Sequence, residues 1–270
     1  MSDDFIQLDQ VSLRYPRSEA PAITDISLGV PSGGSIALVG PSGCGKSSVL
    51  RLIAGLETAT TGSLRIAGDD PAASTCAVGV AFQKSTMLDW RTVLENVLLP
   101  LEITAGPAGF RVHRKAYRER ALELLYRLGL GEYAHRYPWE MSGGMQQRAS
   151  LCRALIHQPD MLLLDEPFAA LDAFTREDLW GLVQSIWTER RPTMVLVTHD
   201  LREAVYLADT VYVFSKGPGR IVHQEDIDLP RPRTIEGTFD AAFVEKVQRL
   251  RGHIVEVRES RGPSQEAVHV

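Results

Sequence analysis

A glycine-rich stretch that ends in lysine and serine is the sequence feature with the clearest chemistry. Residues 40–47 read Gly-Pro-Ser-Gly-Cys-Gly-Lys-Ser and fit the pattern G-x-x-x-x-G-K-[ST] of phosphate-binding loops. In such a loop, backbone N–H groups and the amino end of the following helix surround phosphate oxygens. Lys46 would neutralise the β- and γ-phosphates, and the Ser47 hydroxyl would be a ligand for Mg²⁺. The nucleotide-binding residues predicted here are Gly40, Pro41, Ser42, Gly43, Cys44, Gly45, Lys46, Ser47 and Ser48.

Two acidic residues follow a short apolar segment later in the chain. Residues 161–164 are Met-Leu-Leu-Leu, which predicts a buried strand with Asp165 and Glu166 at its carboxyl end. Ligands bind at this end of the strands in open α/β sheets. Alone, the pattern favours a strand that runs into a solvated acidic turn. Together with the phosphate-binding loop, it favours Asp165 as a Mg²⁺ ligand and Glu166 as the group that polarises an attacking water.

A second glycine-rich helix start and one histidine could belong to the same site. Ser142, Gly143 and Gly144 precede a predicted helix, whose first amides could bind an anion. Ser-Gly-Gly is equally typical of a plain turn and helix cap. His199 follows the apolar segment 193–197, which would place it near the same edge of the sheet. A single histidine at a strand end is, however, more often structural than catalytic.

The remaining sequence predicts the elements that position these residues. Strand patterns occur in the apolar segments 26–30, 35–39, 77–82, 161–166, 193–199 and 210–215. Helices are predicted from Lys46 to Gly55, at 175–189 and at 201–208. Apolar strands that alternate with helices are typical of a parallel sheet covered on both faces. Residues 5–39 have β character and residues 84–157 read as mostly helical, so the chain is predicted to be α/β with a helical insertion.

The pattern changes after Lys216. Residues 229–233, Leu-Pro-Arg-Pro-Arg, predict an extended linker. A short amphipathic helix is indicated by the spacing of Phe243, Val247, Leu250 and Ile254. Residues 259–270 are predicted to form a disordered tail.

Composition narrows the class of protein. A formal net charge of −5 over 270 residues argues against a nucleic-acid partner, because such proteins usually carry a basic surface. Three cysteines without metal-ligand spacing read as free thiols in a reducing compartment. The sequence shows no signal peptide and no run of about 18 apolar residues, so we expect any membrane role to depend on docking onto other chains.

The order of the motifs resembles that of ABC-transporter ATPases over about residues 5–225. Residues 40–47 resemble the Walker A loop of that family, and Asp165 with Glu166 resembles its Walker B pair. Other matches are the Q-loop at Gln83, the signature at Ser142 to Gln146, the D-loop at 170–172 and the switch histidine at His199. Met141 and Met145 differ from the simplest Leu-Ser-Gly-Gly-Gln form of the signature.

This resemblance implies a P-loop NTPase fold with a parallel-sheet core, an N-terminal antiparallel β subdomain and an inserted α-helical subdomain. It implies an ATPase domain at 5–228, with the insertion at about 84–157, and a C-terminal region at 229–270. The implied cofactors are ATP and Mg²⁺, the metal being held by Ser47, Gln83 and Asp165. Glu166 would activate water, while His199 and Gln83 would sense the γ-phosphate and the metal.

The resemblance also implies a composite site in a head-to-tail pair of chains, most simply a homodimer. Each ATP would lie between one chain's phosphate-binding loop and the other chain's signature and D-loop, represented by Ser142, Gly143, Gly144, Gln146 and Asp172. Tyr15 falls where the family places an aromatic ring against adenine, although its spacing from Val11 and Leu13 also suits a core strand residue.

Further expectations concern the protein's partners and its cellular location. Because no membrane span is fused to the cassette, an importer is favoured, acting with a separate permease and indirectly with an extracytoplasmic solute-binding protein. It would work at the cytoplasmic face of the inner membrane. Residues 84–97, including Trp90, could grip the permease or simply pack the helical insertion. The segments at 167–176 and 229–233 resemble the nitrate/sulfonate/taurine importer family. The alternative is a soluble ABC-type ATPase that acts in translation or DNA maintenance.

Overall fold

A computed structural model describes residues 4–259, which form two sheets surrounded by helices. The strands are β1 (Asp4–Leu13), β2 (Ile23–Pro31), β3 (Ser35–Val39), β4 (Thr61–Ile66), β5 (Val78–Ala81), β6 (Met161–Asp165), β7 (Thr193–Val197), β8 (Thr210–Phe214) and β9 (Ile221–Asp226). The helices are α1 (Lys46–Ile53), α2 (Val93–Arg127), α3 (Gly143–Leu155), α4 (Ala173–Arg190), α5 (Leu201–Leu207) and α6 (Ala241–Glu259). Among residues 4–259, no helix has the length and apolar character needed to cross a membrane.

The larger sheet has six strands in the order β5-β6-β7-β3-β8-β9. Its first five strands are parallel, and β9 joins the edge antiparallel to β8. The smaller sheet is antiparallel, with the order β2-β1-β4. The predicted α/β fold, with a parallel core, an N-terminal antiparallel sheet and inserted helices, is confirmed.

The central strands are apolar on both faces, and their side chains divide between two core clusters. In β3, Ile36 and Leu38 pack with α1 and the smaller sheet, whereas Ala37 and Val39 pack with the helices of the other face. Successive side chains of a strand point to opposite faces, so a strand covered on both sides needs apolar residues throughout. This explains why β3, β6 and β7 each contain four consecutive apolar residues.

The helical insertion is anchored at its first turn and bends in its middle. Thr92 and Glu95 form a reciprocal capping box at the start of α2. Gly106 has a φ of 64° and ψ of 171°, which breaks the helix into two parts. The second part packs its buried residues Ala121 and Leu125 in the same cluster as α3.

The C-terminal region packs against the rest of the chain. The predicted amphipathic helix is present as α6, in which Phe243 and Leu250 are buried. Lys246 binds Glu225 of β9 at 3.0 Å and Asp228 at 2.9 Å. Residues 229–233 also lie on the core, with Arg233 buried. The predicted disordered tail falls outside the described residues, apart from Glu259 at the end of α6.

The sequence patterns missed two strands and extended a third. Strand β4 has mostly exposed residues, and β9 has His223 and Glu225 at its inward positions, so neither shows the usual apolar alternation. Strand β1 ends at Leu13, which leaves Tyr15 beyond the strand that it was predicted to continue. Pairing with neighbouring strands, rather than local hydrophobicity, defines these edges.

We predict that Gly79→Ala destabilises the fold by about 1–3 kcal/mol, as is usual for overpacking. A Cβ at this position in β5 would overlap the Ala154 carbonyl oxygen and crowd Pro159. Gly252→Ala is the matched control, because a Cβ there meets open space in α6, and alanine should stabilise that helix by about 0.5–1 kcal/mol. Urea unfolding measures both, and equal midpoints for wild type and Gly79→Ala would contradict the packing of β5 on α3.

Candidate nucleotide-binding site

The phosphate-binding loop joins the carboxyl end of β3 to the amino end of α1. Gly45 has a φ of 98°, and a Cβ there would overlap the Ala22 and Ile23 region, so glycine is required on both counts. Ser42 and Gly43 are exposed at the tip of the loop, while Cys44 is buried beneath it. Among the described residues no side chain caps the amino end of α1. Its first amides are therefore available to phosphate oxygens.

The Lys46 ammonium lies inside this loop. Its Nζ donates hydrogen bonds to the carbonyl oxygens of Gly40 and Pro41, each at 2.9 Å. Within residues 4–259 no carboxylate lies within ion-pair distance of Lys46, although the residue is buried. A buried cation without a charged partner is unfavourable, and an anion in the loop would offset that cost. The loop therefore fits the phosphate chain of a nucleotide.

The two strongest candidates for Mg²⁺ ligands lie next to each other. Ser47 Oγ donates a hydrogen bond to Asp165 Oδ1 at 2.9 Å, across the gap between α1 and β6. Burial, reinforced by the neighbouring Glu166, raises the pKa of Asp165. A bound divalent cation would favour the ionised carboxylate instead. A hydroxyl and a carboxylate beside a phosphate site form an oxygen donor set that suits Mg²⁺.

Glu166 stands at the centre of a three-residue cluster. Its Oε2 accepts a hydrogen bond from Gln83 Nε2 at 3.0 Å and lies 3.6 Å from His199 Nδ1. Gln83 follows β5, Glu166 follows β6 and His199 follows β7, so the three predicted catalytic side chains meet at one edge of the sheet. Glu166 has a φ of 47°, a conformation that costs a non-glycine residue about 1 kcal/mol or more. Its peptide N–H donates to Val197 O at 2.8 Å, which fixes this turn.

Gln147 supports the same turn and was not identified from the sequence. Its Nε2 donates to the carbonyl oxygen of Glu166 at 2.8 Å, and its Oε1 accepts from the Ala170 N–H at 3.2 Å. Through these bonds α3 is tied to the residues that follow β6. The one sequence feature that could have pointed to this role is that Gln147, a polar residue, falls on the buried face of a predicted helix.

The signature residues lie apart from the phosphate-binding loop. Ser142 is the N-cap of α3 and accepts from the Met145 N–H at 3.3 Å, and Ser142 and Gly143 are exposed. In the described chain no hydrogen bond joins Ser142, Gly143 or Gly144 to residues 40–48. Gln146 turns inwards, accepting from Ser85 Oγ at 2.8 Å and donating to Pro138 O at 2.8 Å.

Two further predicted binding residues have local partners. Asp172 is the exposed N-cap of α4, and its hydrogen bonds with Thr175 lower its pKa. Tyr15 is half-buried, and its hydroxyl lies 3.1 Å from Ser48 Oγ at the start of α1. The ring of Tyr15 therefore lies beside the helix that follows the phosphate-binding loop.

Glu203 is a buried acid behind the cluster that sequence patterns did not reveal. It is 3% exposed, and its Oε1 has no hydrogen-bond partner among the described residues. Burial, and then the nearby Asp200, raises its pKa well above the ordinary value. With Glu166, Thr198 and His199 it lines a small cavity of about 10 Å³. Such a space holds about one water molecule.

The chain is similar to proteins of one functional class. Residues 23–169 match the family described as ABC transporter. The aliphatic sulfonates import ATP-binding protein SsuB of Burkholderia ambifaria is 39% identical over 244 residues, which are 90% of this chain and 71% of that protein. The taurine import ATP-binding protein TauB of Chromobacterium violaceum is 42% identical over 214 residues, 79% of this chain and 80% of that protein.

A similar solved structure extends the comparison to three dimensions. The dimeric structure of MJ0796, a bacterial ABC transporter cassette, has a TM-score of 0.75 and 30% identity to this chain. The match covers 83% of this chain and 100% of that one. These similarities confirm the resemblance drawn from the motifs. They give no support to a soluble ATPase that acts in translation or DNA maintenance.

We predict that Glu203→Gln flattens the pH dependence of stability. A carboxyl group with a raised pKa in the folded state makes that state bind more protons, so the free energy of unfolding falls as the pH rises above the ordinary value of 4.5. Glutamine removes this dependence, so the variant should gain most relative to wild type near pH 7.5. Thermal unfolding from about pH 3 to 7.5 measures the slopes.

Glu95→Gln is a control for this measurement, because its effect on stability at neutral pH should be opposite to that of Glu203→Gln. The hydrogen bonds of Thr92 lower the pKa of Glu95, so its carboxylate stabilises the fold at neutral pH. That variant should lose stability near pH 7.5 and approach wild type as the pH falls through the lowered pKa. Parallel pH profiles for wild type and Glu203→Gln would show that Glu203 is not held in its neutral form.

Proposed function

The chain belongs to the ABC transporter family, and from that premise we propose that it is the ATP-hydrolysing subunit of an importer for sulfonates or related small anions. The cluster of Gln83, Glu166 and His199 beside the Ser47–Asp165 pair is the observation that carries the proposal. A phosphate-binding loop alone would serve a nucleotide-binding module. Glu166, whose carboxylate lies 3.6 Å from His199 at the same edge of the sheet, supplies a general base for hydrolysis.

The loop and its neighbours would hold the nucleotide. Backbone amides at the start of α1 and the Lys46 ammonium would bind the phosphates of ATP, with Tyr15 placed for the adenine. Ser47 and Asp165 would hold Mg²⁺, joined by Gln83, and the cation would neutralise charge on the phosphates. Because Lys46 is held by two carbonyl oxygens, it would exchange these neutral partners for phosphate oxygens without leaving the loop.

Glu166 would polarise the attacking water as a general base. Its carboxylate oxygen is already held by Gln83 Nε2, and His199 stands where it could contact the γ-phosphate that the water attacks. Catalysis of this kind consists mostly of positioning and of stabilising charge. The hydrogen bonds of the Glu166 N–H to Val197 O and of Gln147 Nε2 to Glu166 O would keep the Glu166 turn in place during that step.

A second copy of the chain would complete the site. Ser142 and Gly143 are exposed at the amino end of a 13-residue helix and make no hydrogen bond to the phosphate-binding loop within residues 4–259. A head-to-tail homodimer would place them, with Asp172, against ATP held by the other copy. The dimeric arrangement of the similar cassette MJ0796 supports this assignment. We further propose that residues 5–228 form the ATPase domain and 229–270 a C-terminal region.

The sulfonate assignment comes from the relatives named for sulfonate and taurine import. The chain would act at the cytoplasmic face of the inner membrane, on a separate permease that receives its solute from an extracytoplasmic binding protein. Trp90, 74% exposed between Gln83 and α2, is our candidate for contact with the permease.

We predict that Glu166→Gln binds ATP as tightly as wild type and hydrolyses it at least ~100-fold more slowly, equivalent to ~2.7 kcal/mol of barrier. The substitution keeps the size and hydrogen-bonding reach of the side chain but removes its basicity. Nucleotide binding by fluorescence and phosphate release measure the two effects. Glu189→Gln, an exposed acid near the end of α4, is the control that should hydrolyse normally. Near-normal turnover by Glu166→Gln would reject Glu166 as the base.

A second prediction concerns the transported solute. The wild-type chain reconstituted with its permease and binding protein should hydrolyse ATP faster when taurine or another aliphatic sulfonate is added. β-Alanine is the matched control, because it replaces the sulfonate of taurine by a carboxylate on the same chain. If ATP is hydrolysed but no sulfonate stimulates it, the importer role would stand without this solute class. An absence of permease-dependent hydrolysis would reject the transporter role.

A further inference from the structure

The buried Arg233 holds the carboxyl end of α5. Its Nη1 donates to the carbonyl oxygens of Val205, Tyr206 and Ala208 at 2.6, 3.2 and 2.7 Å. Its Nη2 donates to those of Ile227 and Leu229 at 3.1 and 3.4 Å. Arg233 is only 6% exposed, so five backbone carbonyls take the place of water around its guanidinium.

This position is costly for an arginine. No carboxylate forms an ion pair with Arg233 in the described chain, and burial lowers its pKa to about 10, so it keeps its charge at neutral pH. A buried charge without a counter-ion is usually unfavourable. The last carbonyls of a helix carry partial negative charge, however, and a cation there is stabilised. The arrangement is therefore suited to fixing α5.

The backbone of Arg233 is held as firmly as its side chain. Its N–H donates to Gln184 Oε1 at 2.9 Å, and its carbonyl oxygen accepts from Gln184 Nε2 at 2.7 Å. Gln184 is itself buried in α4. These two hydrogen bonds fix the backbone from which the guanidinium of Arg233 reaches α5.

The amino end of α5 lies next to His199, one of the three residues of the catalytic cluster. His199 and Asp200 immediately precede the helix, and Asp200 caps it by accepting from the N–H groups of Arg202 and Glu203. With seven residues at 1.5 Å each, α5 is about 10 Å long. A displacement of its carboxyl end would therefore reach His199, whose Nδ1 lies 3.6 Å from Glu166 Oε2.

Neighbouring residues strengthen the same connection. Arg231 donates to Leu207 O at 2.8 Å and to Asp209 Oδ1 at 2.9 Å, and its guanidinium lies 4.2 Å from the centre of the Trp187 ring. Arg202 of α5 donates to Thr238 Oγ1 at 2.9 Å. Residues 231–238 therefore contact α5 near both ends.

We propose that Arg233 is a positioning residue for ATP hydrolysis, which holds α5 so that His199 stays beside Glu166. The inference rests on the function proposed above, in which these two side chains act on ATP. It assigns residues 231–238 a role in turnover: a change that loosens this segment slows hydrolysis and leaves the phosphate-binding loop unchanged.

The test uses the full chain with Arg233→Met, which keeps the length of the side chain and removes its donors. We expect ATP affinity within about twofold of wild type and single-turnover hydrolysis at least ~10-fold slower, because small misplacements of reacting groups have effects of this size. Arg233→Lys, which keeps the charge, should recover part of the rate. Lys246→Met is the matched control: it breaks the ion pairs of α6 with Glu225 and Asp228, involves none of the hydrogen bonds that Arg233 makes to α5, and should hydrolyse at the wild-type rate.

A double-mutant cycle separates positioning from a general loss of structure. In a His199→Ala background, Arg233→Met should slow single turnover by less than about twofold, because the two substitutions affect the same group. An equal slowing in both backgrounds, or a normal rate in Arg233→Met itself, would overturn the proposal.

A spectroscopic measurement does not depend on turnover. The imidazole resonance of His199, assigned by its absence in His199→Ala, should move in Arg233→Met and stay in place in Lys246→Met. If Arg233→Met fails to fold, the His199 resonance is measured in Arg233→Lys instead. An unmoved resonance overturns the positioning role. Wild-type protein that hydrolyses no ATP with its permease would instead overturn the proposed function, and the resonance would still report whether Arg233 reaches His199.

Discussion

The parallel alignment of four adjacent strands is the constraint on which the site depends. Strands β5, β6, β7 and β3 are neighbours in that order, and Asp165 and Leu38 both pair with Val197. The segments that leave these strands carry Gln83, Glu166, His199 and the loop at 40–47. Because parallel strands end at one edge, Ser47 and Asp165 meet there although 118 positions separate them in the sequence. A register change in β7 would move His199 away from Glu166.

The same constraint explains what the sequence could predict. Each of the four strands is a short, mostly apolar segment whose site residue or loop follows within two residues, so the elements and the site appear together in the pattern. The glycine spacing at 40–47 reflects a local backbone conformation, in which Gly45 has a positive φ. Chemistry that depends on local geometry and strand order is readable from one sequence.

What the sequence did not reveal depends on contacts between distant elements. Gln147 and Glu203 belong to no motif, and the segment that contains Arg233 gave no sign of that residue's contacts. Each of the three acquires its role from the backbone that it reaches in another element or from its burial. Strands β4 and β9 likewise depend on pairing at a sheet edge. The Leu-Pro-Arg-Pro-Arg segment is predicted to be an extended linker, and the burial of Arg233, unusual for an arginine, depends on carbonyl oxygens at the end of α5.

The phosphate-binding loop and His199 are held in place in different ways. The phosphate-binding loop is held from within, since Lys46 donates hydrogen bonds to its own loop carbonyls, and Gly45 lies against Ala22 and Ile23 at the start of β2. His199, by contrast, has a side chain that is 64% exposed, and it lies between Thr198, which follows β7, and the start of α5. The position of such an exposed side chain depends on the backbone on either side of it. Control of turnover through α5 therefore requires no change at the loop that holds the nucleotide.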